Sequence, residues 1–330
     1  MPATPRRKPN TLDGSGGERQ QDEQVVTFWG VRGTLPTPGP QCLKYGGQTS
    51  CVEVCLTQGK SQSSIVLDAG SGIVAYGDQA LKRGQRHFHL LLSHMHYDHI
   101  IGLTRFAPLF RSDCEVTVYG LRKGGKSLQE MFEQFFSFPF FPVEFKNLPG
   151  LKNLHFHEVN GADELTIAGM PVQMQVLNHP QDAVAYRAWN IAKSTSVVYA
   201  TDHEHGTDLD FDLEKFAKNA TLMLYDSTYA DGDYPKFKGW GHSTALAGAQ
   251  IAKNANVGAY GLFHHDPDAS DTQLEKILLP EAQRIYQRSF LCAENTQVSL
   301  LKLQRELQAN STGTRAPVHR SVVRARLKIG

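Results

Sequence analysis

Cysteine is scarce in this 330-residue chain and follows no pattern. Cys42, Cys51, Cys55, Cys114 and Cys292 are odd in number and include no C-x-x-C pair. That argues against a disulfide framework and for buried thiols in a reducing compartment. Long apolar runs are missing too. No stretch of about 18 apolar residues occurs, and the polar N-terminus has no segment of signal-peptide type. No membrane span is expected, and the cytoplasm is the default location. An excess of one charge is also lacking: Lys and Arg number 34 against 33 Asp and Glu, a net charge of +1. So small a charge gives the whole molecule no reason to seek nucleic acid. Hydrophobic content of 40% and charged content of 20% fit an ordinary soluble globular protein able to bury a sizeable core.

Residues 1–24 are polar, with Gly, Pro, Arg and Gln, and read as a disordered leader. Residues 308–330 read as a basic flexible tail, because no acid follows Glu306 while Arg315, His319, Arg320, Arg324, Arg326 and Lys328 accumulate. Residues 25–307 read as one domain, since no linker interrupts them and no repeat is visible. In the first half, strands are expected at 25–33, 51–57, 64–68, 87–93 and 115–119, and helices at 73–83, 100–106 and 127–136. Arg32 sits in a glycine-bounded turn and reads as a surface arginine, with a substrate phosphate contact as the alternative. The second half offers strands at 155–159, 164–167, 172–177, 184–189, 196–200, 221–225 and 258–263. A helix at 243–253 and a final helix opened by the capping hydroxyl of Ser270 complete it. This order fits an α/β fold in which two mixed sheets face each other with helices outside, an αββα sandwich. Residues 132–145 hold seven of the 17 phenylalanines together with Pro139 and Pro142, which forbid a regular helix. A hydrophobic cover and a lid or apolar wall of a substrate pocket are equally good readings.

The chemistry centres on residues 90–103, LLLSHMHYDHIIGL. Imidazole and carboxylate suit zinc, iron or manganese. His94 and His96 are two apart, so on an extended segment they leave the same face. Asp98 and His99 follow once the chain has turned and can point elsewhere, so one loop can serve two metal ions. Four ligands within six residues, directly after an apolar strand, seldom arise for packing reasons. Three further candidates also follow apolar strands: His179 in LNHPQDAVAYR, Asp202 in VVYATDHE, and His264 in LFHHDP, with His265 as its alternative.

Residues 93–99 match the H-x-H-x-D-H motif and resemble the metallo-β-lactamase superfamily. The order of the later candidates resembles that superfamily's five-motif layout over about residues 25–286, in particular the branch shared by tRNase Z-like nucleases and phosphodiesterases. The resemblance implies a metallo-β-lactamase-like fold holding two divalent ions, with zinc the expected metal and manganese or iron the alternatives. It places His94, His96 and His179 on the first ion, Asp98, His99 and His264 on the second, and Asp202 on both. An aspartate at 202, where β-lactamases proper often carry cysteine, speaks for this branch. Two ions about 3.5–4 Å apart can make a shared hydroxide nucleophilic near neutral pH. Gly239-Trp-Gly-His-Ser-Thr244 resembles the G-H-S-T element of the branch, which implies that His242 protonates the leaving alcohol; the plain alternative is a cap of the following helix. Tyr225-Asp-Ser-Thr228 resembles the His-Glu-Ala-Thr element of tRNase Z, which implies that Asp226 orients His242, against a purely structural carboxylate. Asp98, Asp226 and His242 are thus the implied catalytic residues.

WGVRG, YGGQTSC and LFHHDP together resemble the stand-alone phosphodiesterase-type members from bacteria. The expected activity is hydrolysis of a small phosphodiester, such as a 3′,5′-cyclic nucleotide, by a chain that could pair as a homodimer. The first rival is a tRNA 3′-processing endonuclease, the one reading with a nucleic acid partner. It needs a basic or Gly/Pro-rich arm, and none stands between residues 102 and 179. Lactone or thioester hydrolysis is the second rival, and it has no use for a leaving-group acid. A non-catalytic ligand sensor is the third, and it has no need of an open dinuclear site.

Overall fold

The computed structural model describes residues 22–310. Most of the expected leader and tail therefore lies outside the described residues. The first sheet contains β1 (Glu23–Gly30), β2 (Cys51–Gln58), β3 (Ser61–Leu67), β4 (His87–Leu91), β5 (Glu115–Leu121) and β6 (Leu154–Val159). The second contains β7 (Glu164–Ile167), β8 (Met170–Leu177), β9 (Ala183–Trp189), β10 (Ser196–Ala200), β11 (Leu222–Asp226), β12 (Ala259–Phe263) and β13 (Ser289–Leu291). The last strand, β14 (Thr296–Ser299), returns to the first sheet and pairs antiparallel with β1. The strand orders are β14-β1-β2-β3-β4-β5-β6 and β13-β12-β11-β10-β9-β8-β7. Both sheets mix parallel and antiparallel pairs.

Burial explains the sequence pattern of each strand. β10, β11 and β12 are parallel neighbours with every residue buried, which is why they read as continuous apolar runs. β5 alternates, with Val116 and Val118 buried under the outer helices. Val26, Phe28, Val172, Tyr186, Leu224 and Phe263 fill the space between the sheets. Helices Ile73–Lys82 and Leu128–Phe135 cover the outside of the first sheet, and Leu209–Ala217 and Ala245–Asn254 the outside of the second. The αββα sandwich expected from the sequence is the observed architecture. The helices start where hydroxyls announce them: Ser127 with Glu130 and Ser270 with Gln273 form capping boxes, and Thr244 accepts from Ala247 N.

Several expectations need correction. β1 begins at Glu23, before the boundary expected at residue 25, because Gln24 is fully buried with its polar atoms partnered. Its Oε1 accepts from Thr195 Oγ at 3.1 Å, and its Nε2 donates to Ala188 O at 3.4 Å. The last helix, Leu300–Asn310, runs past the boundary expected at residue 307. Arg32 is neither on the surface nor a phosphate contact. It is 0% exposed and its guanidinium donates to the carbonyls of Gly46, Asp266 and Ala269 at 2.6–2.9 Å. Residues 97–105 form one α-turn and a 3-10 segment rather than a single helix from 100 to 106. All five cysteines are buried and unpaired. No helix among the described residues is long and apolar enough to cross a membrane.

Candidate active site

The pairing registers bring the carboxyl ends of several strands to one level. Leu67 of β3 faces Leu91 of β4, Ala200 of β10 faces Tyr225 of β11, and Asp226 faces Phe263 of β12. The residue just past such an end is therefore delivered to a common point between the sheets. Asp68, Asp202 and His264 all take left-handed backbone there, at φ 60°, 55° and 59°. That conformation is unfavourable for a residue with a side chain and concentrates at functional sites. Gly33 lets the chain pass the His264 ring, since a Cβ there would meet it at 2.2 Å.

The seven residues expected as ligands converge. His94, His96 and His179 form one group, and Asp98, His99, Asp202 and His264 another, with the ligand atoms of each group within 4.8 Å of one another. Asp202 reaches both groups: its Oδ2 lies 3.1 Å from His99 Nε2 and 3.4 Å from His264 Nε2, and its Oδ1 is 3.9 Å from His94 Nε2. The far nitrogens are already engaged. His99 Nδ1 donates to Asp68 Oδ2 at 2.7 Å, and His179 Nδ1 donates to Gly241 O at 2.8 Å. Their Nε2 atoms thus face the interior. Nε2 of His94 and of His99 is buried without a hydrogen-bond partner. Buried imidazole nitrogens left unpaired beside buried carboxylates are the donor set that divalent cations satisfy. The residues fit two such ions.

His264 rather than His265 faces this cluster. The His265 ring is fully buried with Nε2 donating to Cys292 O at 3.0 Å. Burial first, and then the Arg32 charge, hold it down at about 3, so it packs as a neutral core ring.

His242 stands at the edge of the cluster, its ring stacked on His264 at 4.9 Å. Its Nδ1 donates to Asp226 Oδ2 at 2.9 Å. Asp226 also accepts from Thr228 N, Thr228 Oγ and Ser243 N, so it is fixed from several sides. Burial pulls the His242 pKa down, but Asp226, with Asp202 and Asp98 behind it, outweighs that and pushes it up to about 9. The helix cap expected as the alternative for His242 is made by Thr244 instead. Asp202, Asp226, His242 and His264 also form a group of potential metal ligands, but the Asp226 contact already occupies His242 Nδ1.

Three supporting residues escaped the sequence reading. Asp68 accepts from His99, Ser93 N, Ser93 Oγ and Tyr199 OH at 2.6–2.8 Å. Thr228 Oγ lies 3.1 Å from His264 Nδ1. Glu204 accepts from Gly239 N, Gly241 N and Tyr234 OH at 2.6–2.9 Å and so ties down the loop before His242. Gly241 is left-handed (φ 87°), and a Cβ there would strike His179. The available signal for Asp68 was an aspartate directly after an apolar strand, the same signal that found Asp202.

A family model described as a beta-lactamase superfamily domain matches residues 63–265. Ribonuclease Z of Picrophilus torridus is 34% identical over 113 residues, 33% of this chain and 34% of the relative. The chain thus spans about a third of the length of such curated relatives. Among solved structures, the metallo-beta-lactamase fold protein YhfI from Bacillus subtilis aligns with a TM-score of 0.61 at 20% identity, over 84% of this chain and 100% of that one. Yeast PDE1 aligns with a TM-score of 0.60 at 14% identity, over 83% of this chain and 98% of that one. Structural likeness at such identities is a likeness of fold.

Proposed function

The chain belongs to the beta-lactamase superfamily of metal-dependent hydrolases, and from that premise we propose that it cleaves a nucleotide phosphodiester. The observation that carries this reading is the 2.9 Å Asp226–His242 pair beside the ligand cluster. An alkoxide leaving from a ribose needs a proton, whereas lactone opening has no comparable need of an acid. His94, His96 and His179 would hold one ion and Asp98, His99 and His264 the other, with Asp202 shared between them. Divalent ions bound there would supply an activated water and neutralise charge on the phosphoryl group.

The chain's own residues supply the rest. His242 gives Nδ1–H to Asp226 and keeps Nε2–H for the leaving oxygen. The oxygen of water bonds to phosphorus, the bond from phosphorus to the leaving oxygen breaks, and the His242 proton goes to that oxygen. The products are a phosphomonoester and an alcohol, and His242 takes its proton back from solvent. Asp226 favours the charged ring in the resting state.

A 3′,5′-cyclic nucleotide and the 3′ end of a tRNA precursor are two candidate forms of the diester. The second is supported by relatives named ribonuclease Z. Against it, the stretch between β5 and β6 packs back on the first sheet, with Phe132, Phe136 and Phe145 buried, instead of projecting as an arm. Zinc-loaded protein should be assayed on bis(p-nitrophenyl) phosphate, cyclic mononucleotides, a tRNA precursor, a lactone and a β-lactam. Turnover confined to diesters is the expected result. Turnover of the lactone or β-lactam, with every diester left intact, would overturn the proposal.

A further inference from the structure

Among the described residues the exposed large aromatics include Tyr97, Phe138, Phe140, Phe211 and Trp240, and Tyr97 and Phe140 line one cavity together. Tyr97, in the H-x-H-x-D-H loop itself, is 74% exposed, and Phe140, in the phenylalanine-rich segment, is 83% exposed. Phe211, away from this region, lies under the Lys215 ammonium at 4.0 Å. Exposed aromatics that share one site mark a binding surface rather than leftover core.

One cavity opens beside the cluster, and a second lies next to it. The first, about 470 Å³, is lined by His94, His96, Lys123, Lys126, Gln181 and Asp182. The second, about 430 Å³, is lined by Tyr97, Ile100, Phe135, Phe140 and Phe141. Met95 and Met131 line both, so the two adjoin across these side chains. Lys123 and Lys126 face each other across a tight turn whose Gly124 and Gly125 are both left-handed. Lys123, its side chain 22% exposed, pairs with Asp182, which is 70% exposed and so partly solvated. Lys126 gives its ammonium to the neutral carbonyl of Gln134. An anion entering the cavity can compete for both lysines, because an exposed ion pair is weak. His242 packs on both His264 and His179 and is not among the residues lining this cavity, which reaches His94 and His96.

Resting on the phosphodiesterase reading, we propose that the substrate is a short linear nucleotide diester with a second phosphate on the nucleoside that keeps the scissile phosphate. The second phosphate lies between Lys123 and Lys126, and the base of that nucleoside stacks against Tyr97 and Phe140 in the apolar cavity. Cation next to aromatic surface is the combination that holds a nucleotide strand without reading its sequence. A 3′,5′-cyclic mononucleotide has a single phosphate and leaves the lysines with nothing to bind, so this inference narrows the substrate away from it.

The test compares a dinucleoside monophosphate with the same molecule bearing a terminal phosphate at its 5′ or its 3′ end. One of the two phosphorylated forms should show kcat/KM roughly three- to tenfold higher. The Lys123→Ala/Lys126→Ala variant should lose that preference, turning over the three forms with similar kcat/KM. Tyr97→Ala/Phe140→Ala should raise KM on all three about tenfold, with kcat little changed. Calorimetry provides a readout that needs no turnover: a nucleoside 3′,5′-bisphosphate should bind more tightly than the 5′-monophosphate, and only while the lysines are present. Equal kcat/KM on all three dinucleotides, or equal affinity for the two products, overturns the inference. If no diester is hydrolysed while the bisphosphate still binds through the lysines, the cavity is confirmed and the catalytic reading fails instead.

Discussion

At the scale of the residue, His242 separates what a histidine motif implies from what it does. If it donates the leaving-group proton, its loss should hurt in proportion to how badly the leaving oxygen needs one. His242→Ala should lower kcat by roughly 10²–10⁴-fold on a ribose-linked diester and far less on bis(p-nitrophenyl) phosphate, whose phenolate departs unaided. Metal content should stay unchanged, as measured by elemental analysis. An equal loss on both substrates would show that His242 binds or orients the diester instead. Asp226 adds a pH dependence. The acid works protonated, so a pKa raised to about 9 keeps the rate at neutral pH and loses it as pH rises through that value. In Asp226→Asn burial prevails, and the alkaline fall-off should move to lower pH on the ribose-linked diester. A pH profile that does not move would reduce Asp226 to a structural carboxylate. The candidate ligands were legible in the sequence because several stand close together or end apolar strands. Asp68 and Glu204 were passed over: Asp68 has the strand-end signal but stands alone ahead of a glycine-rich turn, and Glu204, between two histidines, also reads as ordinary surface chemistry. Arg32 was misread for a related reason: three backbone carbonyls bury its charge, and carbonyl partners leave no mark in a sequence.

At the scale of the element, loops carry the site and strand ends aim them. The loop before His242 is held by the Glu204 carboxylate, which receives both Gly239 N and Gly241 N. Gly241 O in turn receives His179 Nδ1. Glu204→Gln keeps the shape but replaces one acceptor with a donor facing an N–H. Partners that orient metal ligands typically contribute about 10–100-fold in metal affinity. Competition with a chelator should show one ion released about that much more readily in Glu204→Gln, the other held as before. Unchanged affinity for both would mean that the loop keeps its place without Glu204. Strand β1 allows a simpler comparison. A chain starting at residue 25 loses Gln24 and, among its buried hydrogen bonds, those to Thr195 and Ala188, whereas one starting at residue 22 keeps them. The shorter chain should be less stable by about 1–3 kcal/mol in denaturant titration; equal midpoints would show that strand β1 needs neither bond. Periodicity found the long elements and missed β13, β14 and the helices Leu209–Ala217 and Leu300–Asn310. The two strands have only three and four residues, too few for alternation to show.

At the scale of the whole molecule, the candidate ligands come from both sheets. His94, His96, Asp98 and His99 follow β4 of the first sheet, and His179, Asp202 and His264 follow β8, β10 and β12 of the second. Ions bound among them would tie the two layers together at the end of the sandwich where the loops meet. Folding without cations must bury Asp68, Asp98, Asp202 and Asp226 close to one another, which like charges oppose. Metal binding and folding are therefore linked, because the unfolded chain has no preformed cluster. A site held at a hundred times its Kd adds about 2.7 kcal/mol to stability, so two sites should raise Tm on the order of 10 °C in a domain of this size. Protein purified without chelator should carry about two ions per chain, and removing them should lower Tm in a single transition that added zinc reverses. Asp202→Asn gives the internal control. Asp202 reaches both ligand groups, so its variant should melt near the chelated protein and respond weakly to zinc. A wild-type Tm that does not change as the metal content falls to zero would mean that the cluster is stable on its own and that the two sheets do not depend on ions to stay together.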